Sequence, residues 1–382
     1  MRIAINARLL LPDRLEGIGW FAHETIRRMV QWHPEHQFVL LFDRRPAREF
    51  AYGPNAEAVV LHPQARHPLL WHLWFEWAMA RYLNNRRNAI EALFSPEGYL
   101  SLRARCPQVL TLHDINFHHH PERLRRSHAW FMNRYTPRYV GRAHTVVTVS
   151  DFSRADICAA YGLRPERVEV VYNGVDASFR PLADEEAQAV RRRVSQGQPY
   201  FVFVGALTPR KNVLGLLAAF ERFKERTGLP HRLVVAGADM YGGGEVQQAQ
   251  RRSAFAQHIV MLGRQQRSEL APLVGAAQAM VYPSFFEGFG VPLVEAMRCG
   301  VPLAVSRTSA MPEVAREAAI YFDPHQEQQI ADAMERLATQ PQLRHELSGR
   351  GLERAALFDW DRSAQQLYDI IARAAESSAS TM

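Results

Sequence analysis

Short apolar runs alternate with longer amphipathic stretches along this chain, and they fall into two series. Runs rich in Val, Ile, Leu and Phe over 2–6, 38–42, 58–61, 92–95, 109–113, 145–150 and 168–172 predict one set of strands. A second set follows at 200–205, 233–237, 259–262, 279–282, 303–305 and 320–322. Between them apolar positions recur at helical spacing, as over 19–32, 125–142, 213–226 and 292–298. Nearly continuous apolar strands separated by helices predict parallel sheets covered on both faces, which places the fold in the α/β class with two Rossmann-like domains. The polar stretch 176–199, with Pro181, Arg191, Arg192, Arg193 and Gly197, is expected to link them. The domains are drawn at 1–178 and 179–358, with a terminal segment at 359–382 whose serine-rich end, from Glu376, is expected to fray.

Length and composition agree with that reading. A chain of 382 residues, 47% hydrophobic and 22% charged, exceeds what one core usually organises and suits two globular domains with a cleft between them. Cys106, Cys158 and Cys299 form no CxxC pair, and the amino terminus opens as a strand pattern with no basic segment before an apolar stretch. A reducing cytoplasm and no cleaved leader are expected. No uninterrupted apolar run reaches the roughly 18 residues of a spanning helix. The nearest approach, 68–83, is broken by His72, Glu76 and Arg81.

Charge adds an asymmetry. Residues 1–175 hold 23 arginines against 16 acidic residues, so the whole net charge of +7 lies in the first half. That half faces something anionic, such as lipid headgroups, a phosphorylated acceptor or nucleic acid, or it carries solvated surface arginine. Within it, positions 71, 74, 75, 78 and 82 share one helical face, which suits a core helix by default. The alternative is an acceptor or membrane-edge surface, with Trp71, Trp74 and Trp77 near Arg81, Arg86 and Arg87.

The densest chemistry lies from Tyr282 to Pro302. An apolar strand ends at Pro283, a glycine-containing loop follows, Pro292 stands at an expected first helical position, and Gly300 ends the helix. Gly288 and Gly290, with Phe289 and Val291 beside them, let backbone approach a ligand, and the helix offers free N–H groups to an anion such as a diphosphate. Glu287 in the loop and Glu295, expected in the first helical turn, would point to the same mouth of the domain. A carboxylate that accepts two hydroxyl hydrogens suits ribose or a sugar ring. Glu295 complementing the helix dipole is the plainer alternative.

The pair Glu287 and Glu295, embedded in EGFGVPLVEAMRCGVP, resembles the signature of family 4 of the retaining glycosyltransferases. The resemblance covers essentially the whole chain and implies a GT-B fold with the donor held mainly by the second domain. Gly205, ending a strand, precedes Arg210 and Lys211, which resemble the family's pair that neutralises the donor phosphates and the departing nucleoside diphosphate. Gly17 and Gly19, between a strand and a helix, resemble the family's glycine loop near the donor phosphates. His113 matches a histidine beside the transferred sugar. Relatives also imply that the terminal helix crosses back to the first domain.

Metal signals are weak. His118, His119 and His120 are adjacent and cannot all face one ion from regular structure, and Asp359 and Asp361, which match a DxD pattern, precede a helix where Asp caps well. No metal and no separate cofactor are expected, the nucleotide sugar being a co-substrate. The resemblance implies front-face substitution, in which the acceptor attacks on the side the diphosphate leaves, with Glu287, His113, Arg210 and Lys211 as catalytic residues and Glu295 holding the ribose. The expected function is transfer of a mannose- or glucose-like hexose from a GDP- or UDP-sugar to a saccharide or lipid-linked acceptor in bacterial cell-surface polysaccharide synthesis. The enzyme is expected in the cytoplasm, with its basic domain at the anionic inner face of the membrane. A GT-B sugar-nucleotide epimerase is the alternative. An arginine-rich nucleic-acid-binding protein lacks an RNP-type aromatic motif, so no nucleic-acid partner is expected. A pyridoxal phosphorylase would need a Schiff-base lysine, and Lys211 and Lys224 are the only lysines.

Overall fold

The computed structural model describes residues 1–12, 15–65, 67–239 and 244–379. The chain divides into two compact units, Met1–Gly174 together with Asp359–Met382, and Val175–Phe358. In the first unit, β1 (Arg2–Asn6), β2 (Gln37–Phe42), β3 (Ala56–Val60), β4 (Ala92–Ser95), β5 (Gln108–Thr111), β6 (Thr145–Thr148) and β7 (Val168–Val170) form one parallel sheet in the order β3-β2-β1-β4-β5-β6-β7. In the second, β8 (Tyr200–Val204), β9 (Arg232–Ala236), β10 (Ile259–Gly263), β11 (Ala279–Tyr282), β12 (Leu303–Ser306) and β13 (Ala319–Phe322) follow the order β10-β9-β8-β11-β12-β13.

β5, β6, β8, β11 and β12 are buried at every position, as strands covered on both faces must be. Helices supply the cover through stripes three and four residues apart, such as Phe21, Ala22, Ile26, Met29 and Val30 of Gly17–Trp32. Each sheet reverses its direction of growth once, between β1 and β4 and between β8 and β11. At such a switch point the loops leaving two neighbouring strands diverge to opposite faces and open a crevice at the carboxyl ends, where ligands of open α/β sheets bind.

Two expectations need correction. The stretch 176–199 belongs to the second unit and contains the helix Asp184–Ser195. Three acids fill its first turn and Arg192 and Arg193 its last, matching the helix dipole. The Ala183 N–H donates to Glu186 Oε2 at 2.9 Å, and Arg191 Nε donates to the Ala276 carbonyl at 2.9 Å. Polar composition hid this helix because only Ala187 and Ser195 are buried in it. The terminal helix runs Trp360–Ala379, through serines expected to fray, while 380–382 lie outside the described residues. Its Trp360 ring meets Phe21 edge-on at 6.2 Å, and Ser363 Oγ donates to the Tyr172 carbonyl at 2.6 Å, both within the first unit.

Candidate active site

The second unit's switch point carries the site. β8 gives way to Gly205, whose φ of +152° favours glycine and on which a Cβ would stand 3.5 Å from Lys211 Cε. Behind it, a Cβ on Gly237 would lie 1.8 Å from the Gly205 carbonyl oxygen, so only glycine fits there. The turn Pro209–Lys211 then delivers both cations before Asn212, in the left-handed region at φ +52°, starts the helix Val213–Thr227. From the neighbouring strand, β11 ends at Tyr282, and the loop through Gly288 and Phe289 closes on Gly290, φ +95°, which caps the helix Val291–Arg298. Phe289 is buried and meets Phe358 edge-on at 5.5 Å, which anchors the loop.

These loops converge on Glu287. Lys211 Nζ donates to its Oε1 at 2.6 Å and Arg210 Nη1 to its Oε2 at 2.9 Å. Arg210 also donates to the Phe286 carbonyl at 2.6 Å, and the Glu287 N–H donates to Ser309 Oγ at 2.9 Å. Lys211 is buried, hydrogen-bonded to the Tyr282 hydroxyl, with Nζ 4.8 Å from that ring's centroid. Burial pushes the Glu287 carboxyl up, but the Lys211 and Arg210 charges outweigh it and hold it at about 2. The result is an ionised carboxylate that fixes two cations at the ends of neighbouring strands, a local concentration of positive charge and N–H donors that can receive an anion.

Glu295 differs from expectation. The helix starts at Val291, which puts Pro292 second and Glu295 in the second turn, so dipole complementation at the first turn does not apply. The Glu295 carboxyl is buried, with Arg267 and Asp176 as its charged neighbours. Burial raises it to about 7, Arg267 opposing and Asp176 reinforcing the rise.

The structure brings Gly205, Arg210, Lys211, Glu287, Gly288, Phe289, Gly290, Val291 and Glu295 into one unit and places Gly17 and His113 in the other. Gly17 is the first residue of its helix, and a Cβ there would meet nothing within 4 Å, leaving that backbone approachable. His113 follows β5; its Nε2 contacts the Pro96 carbonyl at 2.9 Å and its ring meets Phe21 edge-on at 5.1 Å. A carbonyl only accepts, so Nε2 carries the proton; burial lowers the pKa and keeps the ring neutral, with Nδ1 presenting a lone pair.

Sequence reasoning missed Tyr282, Ser309 and Arg267. Tyr282 carried a signal as the last residue of a strand whose end carries the motif. The other two come from distant segments and carried none, whereas Asp176 closes the segment 171–176, which resembles a stretch of the family. The adjacent histidines diverge to Asn133, Asp156 and Glu122. Asp361 pairs with Arg28, and Asp359 accepts the Asp361 N–H at 2.9 Å. Among the described residues, His33, Glu35 and His36 are close enough to share an ion. His36, however, sits with Nε2 2.8 Å from the Tyr368 hydroxyl and Nδ1 3.1 Å from the amino-terminal nitrogen.

Two parallel α/β units with a cationic cradle at a switch point define the GT-B class of glycosyltransferase. Anabaena HepE, solved with UDP-glucose, matches 98% of this chain and 100% of its own at TM-score 0.77 and 17% identity. WaaG, a glycosyltransferase involved in lipopolysaccharide biosynthesis, matches 97% and 99% at TM-score 0.74 and 15% identity. The model described as Glycosyltransferase Family 4 matches residues 15–179, and Glycosyl transferases group 1 matches 184–354. O-antigen chain mannosyltransferase B of Escherichia coli is 30% identical over 367 residues, 92% of this chain and 94% of that protein. O-antigen chain mannosyltransferase RfbU of Salmonella typhimurium is 25% identical over 82% of each. The chain belongs to glycosyltransferase family 4 and is a glycosyltransferase.

Proposed function

We propose that this enzyme transfers a hexose, mannose in the first instance, from a GDP- or UDP-sugar to a saccharide or lipid-linked acceptor in cell-surface polysaccharide synthesis, with retention of anomeric configuration. The observation that carries the reading is the Glu287 carboxylate holding Lys211 and Arg210 at 2.6 and 2.9 Å at the strand ends. Negative charge grows on the diphosphate as the sugar leaves, and fixed cations and helix N–H groups stabilise that charge more than they stabilise the ground state. Mannose is favoured by the two O-antigen mannosyltransferases among the relatives. A UDP-sugar is the alternative donor, since HepE was solved with UDP-glucose.

In this mechanism Glu295 accepts hydrogen bonds from the ribose hydroxyls, and the neutral His113, through Nδ1, accepts one from a hydroxyl of the transferred sugar. Residues 1–178 serve the acceptor and 179–358 the donor, with the loop at Gly17 near the phosphates. The acceptor oxygen attacks on the face the diphosphate leaves, a phosphate oxygen takes its proton, the new glycosidic bond forms and the sugar–phosphate bond breaks. With Glu287 engaged by two cations, its assigned work is to hold them and to accept from the sugar, not to form a covalent adduct. No metal enters these steps, and the enzyme works in the cytoplasm, its first unit at the inner membrane face.

A panel of GDP- and UDP-sugars, read by nucleotide release with and without acceptor, tests the donor. GDP-mannose is the expected substrate, and turnover should survive EDTA. The anomeric one-bond carbon–proton coupling of fresh product tests the mechanism: an α-linked donor should give an α-linked product, and a β-linked product would overturn front-face attack.

A further inference from the structure

Segment 68–83 follows a helical path as Pro68–Leu73, the π-helical stretch Trp74–Met79, and Ala80–Leu83. Its inner face is settled by packing. Trp74 and Phe75 are fully buried, and Trp71, Ala78 and Tyr82 lie against the same core. Its outer face repeats every fourth residue: Leu69 is 64% exposed, Leu73 37% and Trp77 57%, followed by the exposed Arg81. The wider π turn slows rotation per residue, which keeps positions four apart nearer one line than a pure α-helix does.

The helix Arg126–Arg142 packs alongside, with Trp71 5.8 Å from Phe131 and His72 5.4 Å from Tyr135 between ring centroids. It presents Arg126, Trp130, Arg134 and Arg138, again four apart and all exposed, with Trp130 at 64%. Trp130 lies 6.4 Å from Tyr135, so the aromatic contacts His72–Tyr135–Trp130 run from the first helical segment to the exposed ring of the second. Arg103 stands 4.0 Å over the Trp77 ring. Among the described residues, Leu69, Trp130 and Trp77 are the most exposed large apolar side chains, and all three lie on these two packed helical segments.

We infer that the two stripes form one docking surface for an anionic phospholipid bilayer. Leu69, Leu73, Trp77 and Trp130 enter the boundary between headgroups and acyl chains, and the flanking arginines pair with lipid phosphates. The choice of a bilayer over a protein partner rests on charge and side-chain type. Arginine interleaved with tryptophan places apolar stems and rings at the boundary while the guanidinium groups stay in the headgroup layer, and the chain's entire positive excess lies in residues 1–175. No helix among the described residues is long and apolar enough to cross a membrane, so the contact is along the surface. The inference gives the proposed lipid-linked acceptor and inner-face location a physical basis, and rests on that reading for its purpose only.

Co-sedimentation with vesicles, without donor or acceptor, tests it. The full chain should bind equimolar phosphatidylglycerol–phosphatidylcholine vesicles with a blue shift of tryptophan emission, and should stay in solution with phosphatidylcholine alone. Trp77→Ser with Trp130→Ser, and separately Arg134→Glu with Arg138→Glu, should each weaken vesicle partition at least about tenfold, with melting temperature and donor hydrolysis unchanged. Three results overturn the inference: variants that bind like the parent, equal binding to neutral vesicles, or a solution dimer lost in the tryptophan variant, which would make the surface an interface between copies. If vesicle binding behaves as expected but no lipid-linked acceptor is glycosylated, the acceptor reading fails and the docking surface stands.

Discussion

Glu287 and Glu295 belong to one motif and end in opposite electrostatic surroundings. Glu287, at about 2, has a folded pKa below its unfolded value, so its stabilising contribution is present above roughly pH 4.3 and is lost as pH falls toward 2. Glu287→Ala removes one side of a buried ion pair, and the cost expected is about 3–5 kcal/mol in urea unfolding. Arg210→Ala should cost less, because Arg210 is only partly buried. Glu295, at about 7, has a raised pKa, so what it adds to stability is present below its unfolded value and disappears as pH rises through about 7. The ribose contact proposed for Glu295 needs the ionised form and would run the other way. Affinity for the nucleoside diphosphate should increase between pH 6 and 8, and Glu295→Gln should flatten that dependence and weaken binding at pH 8 by about 1.5–3 kcal/mol. Calorimetry that shows the same pH profile in the variant would remove Glu295 from the ribose contact.

At the scale of elements, the cationic cradle depends on two strand ends lying close together. The backbone N–H of Gly205 donates to the Ala236 carbonyl, and the Gly205 carbonyl occupies the place a Gly237 side chain would need. Gly237→Ala must therefore separate β8 from β9 or shift the Gly205 loop, at a cost of about 1–3 kcal/mol. Nucleotide affinity should fall with it, since Lys211 Cε lies 3.5 Å from where a Cβ on Gly205 would stand and a shifted loop would displace it. A chemical melt and a nucleotide titration of the same variant check both; loss of stability with intact affinity would mean that the loop and the cations are uncoupled. All thirteen strands read from the apolar runs are present, with ends displaced by a residue or two, because side-chain pattern marks burial while strand ends are set by which backbone groups find partners.

For the whole molecule, the division into two units makes a claim about folding. The second unit has its own six-stranded sheet and core, so a fragment spanning 175–358 should unfold cooperatively and bind the nucleoside diphosphate with affinity close to that of the full chain. The first unit is completed by the helix Trp360–Ala379, whose Trp360 backbone nitrogen would stand 2.3 Å from a Cβ on Gly174. Ending the chain at Phe358 should therefore lower the melting temperature of the first unit alone. A single transition lowered for both units would contradict that independence.

The linear sequence was enough for the fold class, the two-sheet organisation, the family, and the two cations and the carboxylate that meet at the second unit's strand ends, because buried strands, switch-point glycines and paired cations are local patterns. The terminal helix's attachment to the first half was legible only through relatives. Tertiary structure alone decided the rest. It turned a polar linker into a helix of the second unit and moved Glu295 one turn inward beside Arg267 and Asp176. It also showed that segment 68–83 is both core and surface, with Trp74 buried and Trp77 exposed on opposite sides. These outcomes depend on which distant side chains share a volume, and that follows from packing between elements, not from the order of residues within any one of them.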